Sequence, residues 1–358
     1  MEETIIKRFM LGIVALSIAV CCGLMYLPRI TQAAYAWAAD YKVMQEEARK
    51  REEMTELELL KYHEQKIEVE TREEIGDAIR MILPKELSLA EVQVINAYRQ
   101  RRVEVVFPGL DESILNRYPI VGSTSHIDDM EVWSGEDGLH VEFVTDRVME
   151  PVMSQKGQYC YLKFENPWDL YEHILVVDAG HGKGQNPGAV MDDAVEHRIN
   201  LSIVKKLKKL LDGQDEIKVY YTRLSEADVE LQDRVRLANE VQADIFISVH
   251  QNALGTRYNE TDGTEVLYSQ SDTHDPGSKE LAKILLQHVT EKLKNKKRGL
   301  IKGDVIYIIR EAKMPVALVE VGFLTNLEEK TKLMDESYQQ DVAQALYEGI
   351  LEAFEKGF

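Results

Sequence analysis

Two histidines and two glutamates in the second half of the chain stand beside the ends of apolar runs. The run ILVVD (174–178) passes directly into Ala179-Gly180-His181-Gly182, and IFISV (245–249) into His250-Gln251-Asn252. VALVE (316–320) ends on Glu320, just ahead of Gly322. Glu196 opens a stretch whose apolar residues Ile199, Ile203, Leu207 and Leu210 recur at helical spacing. Two imidazoles and one carboxylate are a common three-ligand set for a catalytic zinc, with the fourth position left to water. Such a metal lowers the pKa of its water to about 7. A second carboxylate outside the metal shell then has a use: it can take a proton from the water and return it to a leaving amine. The residues alone leave Glu196 and Glu320 open to either task. Gly180 and Gly182 are expected to permit positive φ and to leave room beside the backbone for metal and substrate.

Other readings of the same residues are weaker. His197 adjoins Glu196 and is a rival ligand, but its helix position turns it away from whatever Glu196 faces. His63, His126, His140, His173, His274 and His288 have no partner pattern and are expected to be solvated. Gly180-x-Gly182 has Gln185 where a dinucleotide fingerprint needs its third glycine, and Lys183 lacks the spacing and the following Ser or Thr of a phosphate loop. A G-x-S-x-G nucleophile elbow is absent.

The elements that must hold these groups are strands and helices in alternation. Strand-like runs lie at 174–178, 217–221, 245–249, 264–268, 305–309 and 316–320. Helical spacing recurs at Leu231, Val235 and Ala238, at Leu281, Ile284 and Leu285, and at Ala343, Leu346, Ile350 and Phe354. This pattern predicts an α/β domain over 171–358, with a mixed sheet of about six strands and helices on both faces. In open α/β sheets, function collects beyond the carboxyl ends of the strands, where the two histidines and Glu320 fall.

The first half has a different organisation. Residues 9–27 form a chargeless apolar run long enough to cross a bilayer as a helix. An N-terminal anchor is expected over 1–36, with Ala34-Tyr35-Ala36 as the alternative signal-cleavage site. Either reading puts the rest of the chain outside the cytoplasm. Residues 37–75 are dense in Glu, Lys and Arg and read as a charged helical stalk without coiled-coil heptads. Residues 76–170 read as a small α+β module of unknown role. In it, Ser88 and Glu91 form a capping box that should start a helix near Leu89. Strands are expected at 103–107 and 159–164, and a hairpin at 130–133 and 139–144. The 358-residue chain carries a net charge of −19, which argues against nucleic acid or anionic lipid as a partner. Its three cysteines, Cys21, Cys22 and Cys160, form no disulfide framework.

VVDAGHGKGQNPGA, EHRINL, YYTRLSEADVELQDRVRLANEVQADIFISVHQNA, GTEVLY and PVALVEVGFLTN follow one another in the second half. In this order, over about 173–356, they resemble the zinc-dependent N-acetylmuramoyl-L-alanine amidases of bacterial cell walls, the type 3 amidases. The resemblance implies one Zn2+ per chain held by His181, Glu196 and His250, with Glu320 as the catalytic carboxylate. It implies hydrolysis of the amide between N-acetylmuramic acid and the L-alanine of the peptidoglycan stem peptide, at the outer face of the membrane or in the wall. A zinc peptidase acting on stem peptides and a non-catalytic wall-binding protein are the alternatives. The chain departs from the family in two places. Asn186-Pro187-Gly188 stands where Asp-Pro-Gly is frequent, and Lys183 replaces a frequent glycine; both bear on substrate fit rather than metal binding. The short 252–263 segment excludes the helical plug that blocks the zinc in some relatives. Residues 80–165 are compatible with a diverged form of the β-rich targeting domain that precedes some amidases. No activating protein is identified by the sequence.

Overall fold

A computed structural model describes residues 75–358. The expected anchor and charged stalk lie outside the described residues. Among the described residues, no helix is long and apolar enough to cross a membrane.

Residues 76–170 build a β-sandwich, which corrects the α+β expectation. One four-stranded antiparallel sheet has the order Val121–Gly122, Ile79–Ile82, Tyr159–Glu165, Glu150–Lys156. The other has the order Gln93–Ala97, Arg102–Pro108, Gly138–Thr145, Ile127–Ser134. Period-two alternation explains the packing. Val103, Val105 and Phe107 on one strand and Leu139, Val141 and Phe143 on the next point inward, against Met81, Cys160 and Leu162 of the facing sheet. The hairpin and both strands expected here are present. The helix near Leu89 is not: the Ser88–Glu91 box forms, with a backbone bond of 2.9 Å, but caps a single 3-10 turn, Leu89–Glu91. Val92 is already extended and leads into the strand from Gln93, so pairing with 102–106 overrides the local start signal.

The second part is a six-stranded mixed sheet. Its strands are β1 (His173–Ala179), β2 (Ile217–Tyr221), β3 (Ile245–Asn252), β4 (Thr264–Tyr268), β5 (Lys297–Lys302) and β6 (Val316–Phe323). The order is β2-β1-β3-β6-β4-β5. The first four run parallel, and β4 and β5 run opposite to them. Five strands match the expected runs. The sixth does not: 305–309 lies in the segment that forms α4 (Tyr307–Glu311), and β5 takes the outer place instead. A short apolar run has no period of its own, and burying Ile308 and Ile309 on one side of a helical turn suits it equally well. β5 is hard to read because it is an exposed edge whose Lys297, Arg298 and Lys302 keep it from pairing with other chains.

α1 (Glu196–Leu211), α3 (Ser278–Leu293) and α6 (Glu336–Glu355) cover one face of this sheet. α2 (Leu231–Glu240) and α4 cover the other, and α5 (Leu327–Met334) follows β6. Alternate residues of β1 face opposite cores: Leu175 and Val177 meet α1 residues such as Ile203 and Leu207, while Ile174 and Val176 meet Val235 and Ala238 of α2. The chain leaves β1 toward β2 on one side, whereas β3 lies on the other. That divergence is a topological switch point, where such sheets open a crevice at their carboxyl ends.

Candidate functional site

All four singled-out residues meet at that crevice. His181 follows β1, Glu196 is the first residue of α1, and His250 and Glu320 lie opposite each other on the paired strands β3 and β6. One donor atom from each of His181, Glu196 and His250 lies within 4.8 Å of the others, so the three could hold a metal ion. Glu196 is the hub. Its Oε1 stands 3.2 Å from His181 Nε2 and 2.9 Å from His250 Nδ1. It also accepts the Gln251 N–H at 3.1 Å, while Oε2 accepts the Ala189 N–H at 2.7 Å. Burial pushes the Glu196 carboxyl up, but the bonds from both histidines outweigh it and hold the group well below the usual carboxylate range. The donor set suits zinc: two imidazoles and a carboxylate, all converging.

Glu320 has the opposite environment. Its Oε2 is buried with no hydrogen-bond partner among the described residues. Burial, then the negative charges of Glu196 and Glu265, push its carboxyl well above the ordinary value. Two carboxylates at one site with proton affinities driven apart are the usual sign of separate duties.

Glycines clear the space, though not for the expected reason at each position. A Cβ on Gly180 would lie 2.2 Å from the His250 ring, and one on Gly188 (φ +77°) 2.4 Å from Glu196 Oε2. The left-handed residue of the turn is His181 itself, with φ 65°, not Gly180 or Gly182. Such a conformation is costly for a side-chain residue and is retained where surrounding bonds impose it. Here Arg234 Nη2 donates to His181 O at 2.8 Å, and the His181 Nδ1 edge meets Asn186 Oδ1 at 3.1 Å. With Nδ1 donating to Asn186, Nε2 is the nitrogen turned to the site.

The turn is held from below by buried polar groups that the sequence reading missed. Arg223, fully buried, donates to Ala179 O at 2.7 Å, and its Nη2 to Gly180 O and His197 O, each at 2.9 Å. Arg234 pairs with buried Asp178, which also accepts Thr222 Oγ1 at 2.5 Å and Ser248 Oγ at 2.6 Å. Asn200 donates to Gly180 O at 3.1 Å and accepts Gln251 Nε2 at 3.1 Å. Two signals were present. Arg234 falls on the same helical stripe as Leu231, Val235 and Ala238, and Asn200 lies one turn beyond Glu196. Arg234→Met should therefore lower stability by about 3–5 kcal/mol, because Asp178 keeps a buried charge without its cation. Urea unfolding measures this, and adding Asp178→Asn to Arg234→Met should restore part of the loss.

His197 is buried but outside the donor cluster, and neither ring nitrogen has a partner among the described residues. The solvated reading holds for exposed His274 but needs correction for the other histidines among the described residues: His126 is half-buried beside Asp146 at 3.4 Å. His140 is buried between Glu104 at 2.6 Å and Asp137 at 2.8 Å, His173 stacks on Phe354, and His288 bonds Glu352 at 2.7 Å. His63 lies outside the described residues. Beside the metal-type cluster, a groove of about 290 Å³ runs between His181 and Asn186 on one wall and Asp228 and Leu231 on the other.

A mixed α/β sheet with a His–Glu–His donor set at its switch point, able to hold a metal ion and lying beside an open groove, defines the class of this protein. The family model for N-acetylmuramoyl-L-alanine amidase matches residues 175–352. The germination-specific N-acetylmuramoyl-L-alanine amidase of Bacillus subtilis (strain 168) is 31% identical over 208 residues, covering 53% of this chain and 85% of that protein. The chain thus belongs to the N-acetylmuramoyl-L-alanine amidase family. LytC of the same organism is 32% identical over 187 residues, which span 52% of this chain and only 36% of LytC. The solved catalytic domain of CwlV from Bacillus (Paenibacillus) polymyxa var. colistinus is similar at 33% identity, over 51% of this chain and 98% of that one, with a TM-score of 0.48.

Proposed function

We propose that this chain is a zinc-dependent peptidoglycan amidase. It cleaves the amide between the lactyl group of N-acetylmuramic acid and L-alanine of the stem peptide. The observation that carries the reading is the convergence of His181, Glu196 and His250 beside a buried Glu320, whose Oε2 has no partner among the described residues, in a chain of this family. Zinc, when bound by those three residues, supplies a Lewis acid that polarises the carbonyl and acidifies water. The protein supplies the rest. Glu320 takes a proton from the attacking water and delivers it to the departing alanine nitrogen, so the C–N bond breaks as the C–O bond forms. Asn186 fixes the His181 tautomer, and the groove beside His181 receives the substrate. The catalytic part spans 171–358. The preceding sandwich, 76–170, is a module docked onto it, and the enzyme works at the cell wall, outside the membrane.

A murein digest analysed by mass tests this. The expected products are glycan ending in a free lactyl carboxylate and peptide with a free L-alanine amine, both suppressed by a chelator and restored by zinc. A new amine within the stem peptide would instead indicate a peptidase, and no product with zinc present would leave a binding protein.

A further inference from the structure

The sandwich does more than adjoin the catalytic sheet. Its 3-10 turn Tyr98–Gln100 sits on the edge strand β2 where that strand ends. The Tyr98 hydroxyl accepts the Tyr221 N–H at 3.0 Å and donates to Tyr221 O at 3.1 Å, so both backbone groups of that edge residue are satisfied by one side chain. The Tyr98 ring meets Tyr220 edge-on at 5.1 Å. Next door, Arg99 Nη1 donates to Thr222 O at 3.0 Å, and Arg236 Nη2 of α2 donates to Arg99 O at 3.2 Å.

The segment so gripped, Tyr221 to Arg223, is the one that holds the metal-type turn from the other side. Thr222 Oγ1 bonds Asp178, the partner of Arg234, which in turn holds His181 O. Arg223 holds the carbonyls of Ala179 and Gly180. One short peptide is thus clamped between the sandwich and the turn bearing His181, and none of these links is solvent-bridged. A second contact between the two parts lies further back. Buried Glu150 bonds Tyr220 Oη at 2.6 Å and Lys218 Nζ at 2.8 Å, without touching 221–223.

The geometry points to Tyr98 and Arg99 of the sandwich as positioning residues for the metal site of the other part, acting through Tyr221–Arg223 on His181. The inference rests on the zinc reading above. Outer partners of metal ligands tune affinity by about 10–100-fold. Tyr98 acts one further link away, so Tyr98→Phe in the full chain should weaken zinc about three- to tenfold. Competition against a chelator of known affinity measures this, and turnover at saturating zinc is recorded alongside. Arg99→Ala should move affinity in the same direction by a smaller factor. It decides the matter alone if Tyr98→Phe does not fold. Glu150→Gln is the control: it should lower the melting temperature at least as far as Tyr98→Phe, with zinc affinity unchanged. Wild-type affinity, within twofold, in both Tyr98→Phe and Arg99→Ala overturns the inference. So does an equal loss in Glu150→Gln, which would make the effect one of general docking. Failure of the wild type to bind zinc would defeat the metal reading itself, a separate result.

Discussion

Glu320→Gln is expected to lower turnover on murein by about 10²–10⁴-fold, the usual worth of a positioned general acid–base group, while zinc content stays at the wild-type level. The two parts of the expectation have separate causes. Glutamine keeps the shape of the side chain but cannot exchange a proton. The donor cluster of His181, Glu196 and His250 does not include Glu320, so it is left whole. A variant that lost zinc together with activity would instead make Glu320 a ligand.

A stability effect of opposite sign accompanies this. The folded-state pKa of Glu320 is raised by burial and by Glu196 and Glu265, so folding binds a proton that the unfolded chain releases near its ordinary value of 4.5. Its favourable contribution is full below that value and is lost as pH rises through the folded pKa. The metal-free wild type therefore loses stability with rising pH through this group, and metal-free Glu320→Gln does not. At neutral pH the inactive variant should melt higher than the wild type, both measured without metal.

The donor set is readable from the sequence because each ligand sits where a strand ends or a helix begins. Such positions are marked by an abrupt change from apolar to polar residues, as at Asp178 or His250. What supports the donors is less visible. Arg223 and Arg234 are charged and so look like surface, yet both are buried because they satisfy carbonyls of a turn that has no ladder partner. Their role depends on contacts across 26 residues or more, beyond any local period. The sandwich shows the same limit from the other direction. Its strands alternate legibly, but a capping box at Ser88 carries the same local signal whether a helix or a single turn follows. Pairing with the strand at 102–108 decides between them, and sequence spacing is blind to that. The run 305–309 has the reverse fault: strand-like residues bend into α4 because the edge place beside β4 is filled by the charged β5.

Glu196→Gln should abolish zinc-dependent stabilisation altogether, and activity with it. Glu196 is the anionic member of the donor set and the common partner of both histidines, of Gln251 N–H and of Ala189 N–H. Its neutral replacement keeps the shape of the side chain but has one acceptor oxygen where Glu196 has two, so it can serve only one of the Ala189 and Gln251 amides, and the charge that a dication needs is gone. A ligand that binds only the folded state adds about 4 kcal/mol at a thousandfold excess over its dissociation constant. Titrating zinc into the wild type should therefore raise the melting temperature progressively, whereas the same titration of Glu196→Gln should give a flat line. The metal-free proteins supply the control on sign. The folded-state pKa of Glu196 lies below its ordinary 4.5, so its ion pairing stabilises the wild type above that pH and is lost as pH falls through the depressed value. At neutral pH without metal the variant should thus be the less stable protein, the reverse of Glu320→Gln. Two neighbouring carboxylates whose amide variants shift metal-free stability in opposite directions would establish that one is built to stay charged and the other to change its proton. Equal shifts would dissolve that division of labour.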